Sequence, residues 1–384
     1  MSSHPDTLSS GTVWYAQEGP EQDVVLATRI RLVRNLANFV FPSEASVDDL
    51  ERVQALVFDA FSKADNPDRF QHIGVNQLDF SARQLLAERG VLPERNYAER
   101  EINSQNIDIV RKYEWEPGIV VRTDGRVSCL VNGDNHVAIV SYTAGYNIGE
   151  TWALGKEIDS VLQKSLQFAA SYDFGYLTSD LMDAGSGMQL SVRLFLPGLL
   201  HSQKIKETIE KLSKQNCLLE PVYGGTTVPF EALGAYYQLT SRYCFTGNEE
   251  NQVAEFDTVV MTLCASERKA RQELITQKPT VLQHIISKMF AVAKFSKFLE
   301  CSEAIEIVSA MNLGVSAKAV LGIDFPELYA LLYRVRNGHI NYLKQSSSFL
   351  FEKDVTENTS LVTSRLRCLL VQEALEDVKL YFEG

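Results

Sequence analysis

Three arginines fall within six residues of an acidic chain, in Thr28-Arg29-Ile30-Arg31-Leu32-Val33-Arg34. An apolar run, Val24-Val25-Leu26-Ala27, leads into them. Arg29 and Arg31 are two residues apart, so on a strand both side chains leave the same face. Two adjacent guanidinium groups repel each other. A bound polyanion reverses that, because the guanidinium fork matches phosphate oxygens in shape and charge. The chemistry suggested is phosphate binding; taken alone, the pair also reads as a solvated strand face.

The surroundings narrow the choice. The chain has 384 residues, 45% of them hydrophobic and 22% charged, with a net charge of −12. That composition belongs to a globular protein large enough for two domains. The negative balance argues against a nucleic-acid partner. No apolar run is long enough to cross a bilayer, so no membrane association is expected. The polar start, Met1 to Gly11, carries no secretory pattern, and a cytoplasmic location is expected. Six scattered cysteines without a C-x-x-C pair read as free thiols rather than a metal site or disulfide framework. No metal ligand set is expected.

The elements that must position the arginines can be placed by periodicity. Val24–Arg31 reads as a strand. Asp48–Lys63 has helical apolar spacing with Ser46 as its cap, and Ser81–Arg89 is a second helix. Gly118–Arg122 and Arg126–Val131 form a hairpin across Asp124-Gly125. A strand at Val137–Tyr142, a helix at Thr151–Ala170, a strand at Met188–Leu196, a helix at Ser202–Gln215 and a strand at Tyr236–Tyr243 follow. From Asn251 the pattern is helical, with no strand pair evident. The expected architecture is α+β: a tail at 1–22, a domain at 23–277 with an antiparallel sheet flanked by helices, and an all-helical C-terminal domain at 278–384.

Several segments, in order, resemble the ATP:guanidino phosphotransferases, and among them the bacterial protein arginine kinases. Val25 to Leu36 is similar to the family's first phosphate-binding strand, and Arg83 to Glu88 to the helix after it. Gly175-Tyr176-Leu177-Thr178 with Gly185-Ser186-Gly187-Met188 resembles the substrate-loop region. Tyr223-Gly224, Ala232-Leu233-Gly234, Gln238-Leu239 and Glu267 to Arg271 complete the series. The resemblance implies a guanidino-kinase-like catalytic domain, ATP or ADP with Mg²⁺ as cofactor, client proteins or an adaptor as partners, and a homodimer. It also implies a nucleotide site at Thr28, Arg29, Ile30, Arg31, His136, Gln189, Ser191 and Arg193.

Departures from the family pattern fall on that site. The resemblance puts a catalytic glutamate at Gly133 and another at Gly225, phosphate-binding arginines at Ala138, Gln189 and Glu220, and a reactive cysteine at Asp180. No intact catalytic residue is therefore expected. Three charge-assisted contacts at about 1.5–3 kcal/mol each amount to roughly 4–9 kcal/mol, or about three to six decades in rate or affinity. Asp134, beside Gly133, reads as a turn residue or a substitute carboxylate. Arg193 reads as a surface residue or a displaced phosphate ligand, and His136 as a ribose or purine contact or a structural histidine. Phe325 to Leu375 resembles the family's phosphoarginine-reading domain, with altered pocket positions around Thr363 and Ser364, and with Arg365 and Arg367 reading as anion contacts or, in preference, solvated helix residues. The expectation is a kinase homologue with an eroded site, weak or inactive, retained for nucleotide or partner binding. The alternative is active arginine phosphorylation through a rearranged site.

Overall fold

The structure is a computed structural model that describes residues 13–93, 117–224, 232–242, 244 and 248–382. Its centre is an eight-stranded sheet: β1 (Val25–Arg34), β2 (Phe70–Gly74), β3 (Gly118–Arg122), β4 (Val127–Val131), β5 (Val137–Ala144), β8 (Met188–Phe195), β9 (Cys217–Pro221) and β10 (Tyr236–Ser241). The order is β2-β3-β4-β5-β1-β8-β10-β9, with every neighbouring pair antiparallel. β1 thus runs through the middle, between β5 and β8. Two two-residue strands, β6 (Ala170–Ser171) and β7 (Gly175–Tyr176), form a separate ribbon.

One face of the sheet is the apolar core. Ile30 and Leu32 of β1, Ile139 of β5, and Leu190 and Val192 of β8 are buried there. They pack against α1 (Val47–Ser62) and α3 (Ile148–Gln163), helices whose first turns are capped by Ser46 and Asn147; α2 (Phe80–Glu88), between them in the chain, falls where the second helix was expected. The Ser46 cap matches the sequence expectation. The helix expected to reach Ala170 stops at Gln163, because the chain beyond it returns to β1: Leu36 bridges Phe168, and Ala169 N–H donates to the Asn35 carbonyl. β2 and β9 were not anticipated. Both are five-residue edge strands, and exposed Gln71, His72 and Glu220 interrupt their apolar signal.

The segment expected as a tail, 1–22, is described from Val13, and there it packs. Trp14 and Tyr15 are buried against Tyr142 of β5 and Tyr333. After α4 (Pro197–His201), α5 (Ile205–Lys214) and the long α6 (Glu249–Gln277) come α7 (Pro279–Phe295), α8 (Cys301–Ser316), α9 (Phe325–Arg334), α10 (Asn337–Ser346), α11 (Lys353–Thr356) and α12 (Thr359–Ala374). Their core includes Ile286, Val308, Met311 and Leu328 and reaches the sheet at Leu26, Phe195 and Tyr236. Polar contacts cross as well: the Asn312 amide donates to the Tyr236 hydroxyl, and Tyr329 donates to the Gln22 carbonyl.

Two expectations for this region need correction. It is not wholly helical, since β11 (Val320–Leu321) pairs with β12 (Lys379–Leu380). Arg367 is not solvated: it is 2% exposed and donates to the Val335 and Leu299 carbonyls and to the Asn337 side chain. Arg365 donates to the Lys297 carbonyl and meets Glu352.

Candidate functional site

Strand alternation sends Arg29 and Arg31 to the face opposite the core. Register supplies their neighbours: Arg29 lies opposite Tyr142 and Ser191, and Arg31 opposite Val140 and Gln189. Two residues along β8, Arg193 pairs with Ala27 and, on its other side, with Gln238. On this face lies a cavity of about 500 Å³, whose polar lining includes Arg29, Arg31, Asp134, Gln189, Arg193 and Gln238. Leu130, Val140, Val91 and Leu92 supply its apolar wall, with Ala138 also lining it.

The three guanidinium groups are held differently. Arg31 donates from Nη2 to Asp183 Oδ2 at 2.5 Å, and the Asp183 carboxylate is almost fully buried. Arg193 donates from Nη1 to the Tyr333 hydroxyl of α9, with its guanidinium 5.9 Å from that ring centre. No carboxylate pairs with Arg29 among the described residues. Burial pulls the Arg29 guanidinium below its usual pKa, partly offset by Tyr142 and reinforced by Arg31 and Arg193. A cation in that state gains most from an anion. Beside it, the Ser191 Oγ is buried and has no hydrogen-bond partner among the described residues.

Asp183 belongs to the loop at 177–187, which is tethered to the site at several points. Ser179 N–H donates to Asn135 Oδ1, and the Ser179 hydroxyl donates to the Asp134 carbonyl. Tyr176 exchanges backbone hydrogen bonds with Gly185, and Asp183 N–H donates to the Asp180 carbonyl. At the far end of the loop, the buried Arg34 donates to the Ser186 carbonyl while gripping Asp159 of α3 through Nε and Nη2.

Not every expected site residue is here. Arg29, Arg31, Gln189 and Arg193 line the cavity, and Ser191 shares their face. Thr28 and Ile30 do not, since alternation turns both inward. Thr28 is buried, donating to the Gly145 carbonyl and accepting from Asn147 N–H. His136 is fully buried behind the strand end. Its Nδ1 accepts from Leu36 N–H and its Nε2 donates to the Val40 carbonyl, while burial lowers its pKa to about 4. It is a neutral structural histidine rather than a ribose or purine contact.

Among the positions expected to have lost function, Ala138 and Gln189 stand in the cavity wall. Glu220 is exposed on β9, opposite Gln238. Asp180 is exposed, its carboxylate accepting from Met182 N–H. Gly225 lies outside the described residues. Gly133 does not line the cavity, and a Cβ there would press to 2.7 Å from Leu130. Its neighbour Asp134 does line it. The carboxylate at this corner is therefore present one residue along from where the sequence put a vacancy. Sequence reasoning missed Asp183, Gln238 and Tyr333, which lie far from Arg31 and Arg193 in the chain and carry no local signal.

A nucleotide with Mg²⁺ can be tested against this lining. Arg29, which has no carboxylate partner among the described residues, and Arg193 offer positive charge to one phosphate group, with the Ser191 Oγ across the strand pair from Arg29. The rest fits a triphosphate poorly, because Arg31 is already neutralised and the neighbouring wall is Ala138 and Gln189. No cluster of three His, Cys, Asp or Glu side chains able to hold a metal occurs among the described residues. Nor is any of their helices long and apolar enough to cross a membrane.

Comparisons with known proteins bear on the same region. Residues 52–270, more than half of the chain, match the model of the ATP:guanido phosphotransferase C-terminal catalytic domain. Among curated proteins, the chain is 27% identical over 342 residues to the protein-arginine kinase of Pelotomaculum thermopropionicum, covering 89% of this chain and 92% of that protein. It is 25% identical over 353 residues to that of Halothermothrix orenii, covering 92% and 96%. Among solved structures, the fold is similar to lombricine kinase, with a TM-score of 0.55 at 17% identity over 71% of this chain and 72% of that one. It is also similar to the duplicated taurocyamine kinase of Schistosoma mansoni with bound transition-state-analogue components, with a TM-score of 0.56 at 20% identity. That alignment covers 67% of this chain and 35% of the duplicated one, so this chain spans about a third of its length.

Proposed function

Because the chain belongs to the ATP:guanido phosphotransferase family, we propose that it is a protein-arginine-kinase-like homologue that binds nucleotide phosphate and transfers it weakly or not at all. The observation supporting this is the cavity wall. Directly across from Arg29 and Arg31, β5 offers Tyr142 and Val140 and β8 offers Ser191 and Gln189, none of them a cation; Ala138 lines the same wall, and Arg193 is the one further cation among the described lining residues. Phosphoryl transfer relies mainly on positioning and charge neutralisation, so lost cations cost rate directly. Glu220, at the sheet edge beside Gln238, adds like charge rather than relieving the deficit.

One feature favours a second reading, in which arginine side chains of proteins are still phosphorylated. Asp134 lines the cavity and is exposed to it, so a carboxylate able to accept a guanidinium proton is available. The two readings separate in one assay: the chain with labelled ATP, Mg²⁺ and an arginine-rich protein. The first reading expects thermal stabilisation by Mg-ADP, lost in Arg29→Ala, with no acid-labile label on arginine. Label that appears and vanishes in Asp134→Asn would establish the second. Absence of both label and stabilisation would defeat both.

A further inference from the structure

The pairing of Arg31 with Asp183 bears on which phosphate ligand the cavity takes, and it rests on the phosphate-binding reading above. Arg29 and Arg31 are alternate residues of one strand, about 6.8 Å apart along it. Together they would form two adjacent seats for a polyphosphate chain. Only one seat is open. The Arg31 Nη2 is occupied by the Asp183 carboxylate, held in place by a loop tethered at Asn135, Asp134 and Arg34. The other seat combines Arg29, which has no carboxylate partner among the described residues, with the buried, unpartnered Ser191 Oγ directly across the β1–β8 pair. A buried hydroxyl without a partner is a group whose partner is a ligand or water.

The geometry points to a single-phosphate site, with Asp183 as an internal stand-in for the second phosphate, so that the ligand class is a phosphomonoester rather than a polyphosphate. Asp183 is in this sense a specificity-determining residue. It neutralises the cation on which a longer phosphate chain would rest, and it repels the next phosphate along. The apolar wall formed by Leu92, Leu130 and Val140 suits an organic body attached to the phosphate rather than the free ion.

The test is calorimetry of the full chain with inorganic phosphate, AMP, ADP and ATP, each with Mg²⁺ and again with EDTA. For the native chain, AMP should bind at least as tightly as ADP and ATP, and more tightly than inorganic phosphate. Asp183→Asn keeps the shape and removes the charge, and should tighten ATP about tenfold or more while changing AMP little. Ser191→Ala should weaken all three nucleotides together. Inorganic phosphate binding as tightly as AMP would place the free ion, not a phosphomonoester, in the seat and overturn the ligand class. ATP binding at least tenfold more tightly than AMP in the native chain would overturn the proposal while leaving nucleotide binding intact, and the native series decides this even if Asp183→Asn does not fold. An unchanged ATP-to-AMP ratio in a folded Asp183→Asn chain would overturn it equally. No binding by any ligand would instead defeat the phosphate-binding reading itself.

Discussion

Replacing Asp159 by alanine tests the reasoning about the frame beneath the site. Arg34 and Asp159 are 0% and 1% exposed and meet through two hydrogen bonds, of 3.0 and 3.2 Å. Arg34 also donates to the Val33 and Ser186 carbonyls, and its guanidinium lies 3.7 Å from the Tyr176 ring centre. Removing the carboxylate leaves a buried cation with two carbonyls and a ring face as its remaining compensation among the described residues. Loss of one member of a buried ion pair costs about 3–5 kcal/mol. The carbonyls and the ring hold Asp159→Ala toward the lower end, at about 3 kcal/mol. The double replacement Arg34→Met with Asp159→Leu removes both charges at similar volume and should recover most of that loss, because the desolvation cost goes with them. Urea unfolding of the three chains provides the numbers. A loss below about 1 kcal/mol in Asp159→Ala, or a double variant no better than the single one, would refute the account of Arg34 as a buried cation fixed by one carboxylate.

Two further outcomes follow from single side chains. His136 is held neutral, its pKa lowered by burial to about 4 against an ordinary 6.5, with His72 and His201 shifted in the same direction. The unfolded chain therefore binds more protons between pH 6.5 and 4, so stability falls as pH drops through that window, and His136→Gln should flatten the slope measured by urea unfolding. Gly198 abuts α6 so closely that a Cβ would sit 2.4 Å from the Arg271 backbone nitrogen, while its own N–H donates to the buried Glu267 carboxylate. Gly198→Ala should cost at least about 2 kcal/mol by overpacking, seen as a lowered melting temperature.

Elements with strong local periodicity were legible in the sequence: β1, the Ser46-capped α1, and the hairpin across Asp124-Gly125. Short edge strands were not, because Gln71, His72 and Glu220 break the alternation that identifies a strand. The arginine face was legible from spacing alone, since alternation leaves no choice once β1 is a strand. The same rule should have excluded Thr28 and Ile30, whose inclusion came from the resemblance rather than from geometry. His136 looked like chemistry because histidine so often is. Its role is fixed instead by two backbone groups about one hundred residues away in sequence, Leu36 and Val40. At Gly133-Asp134 the chain is an irregular turn, where neither strand nor helical period says which side chain points inward. Only coordinates could decide between neighbours.

The side chains that line the cavity and the contacts that hold the sheet together occupy opposite faces of the same strands, so one can change without the other. Gln189 and Ala138 lie on the cavity face, while Leu190, Val192 and Ile139 lie on the core face. Replacing a cavity-side arginine by glutamine or alanine leaves the apolar burial of the core face untouched, and burial supplies most of the favourable free energy of such a sheet. It also relieves repulsion among clustered guanidinium groups, as Asp183 does for Arg31. Stability therefore sets no requirement for cations on the cavity face. Arg29 lies on the cavity face with no carboxylate partner among the described residues, and its burial opposes its charge.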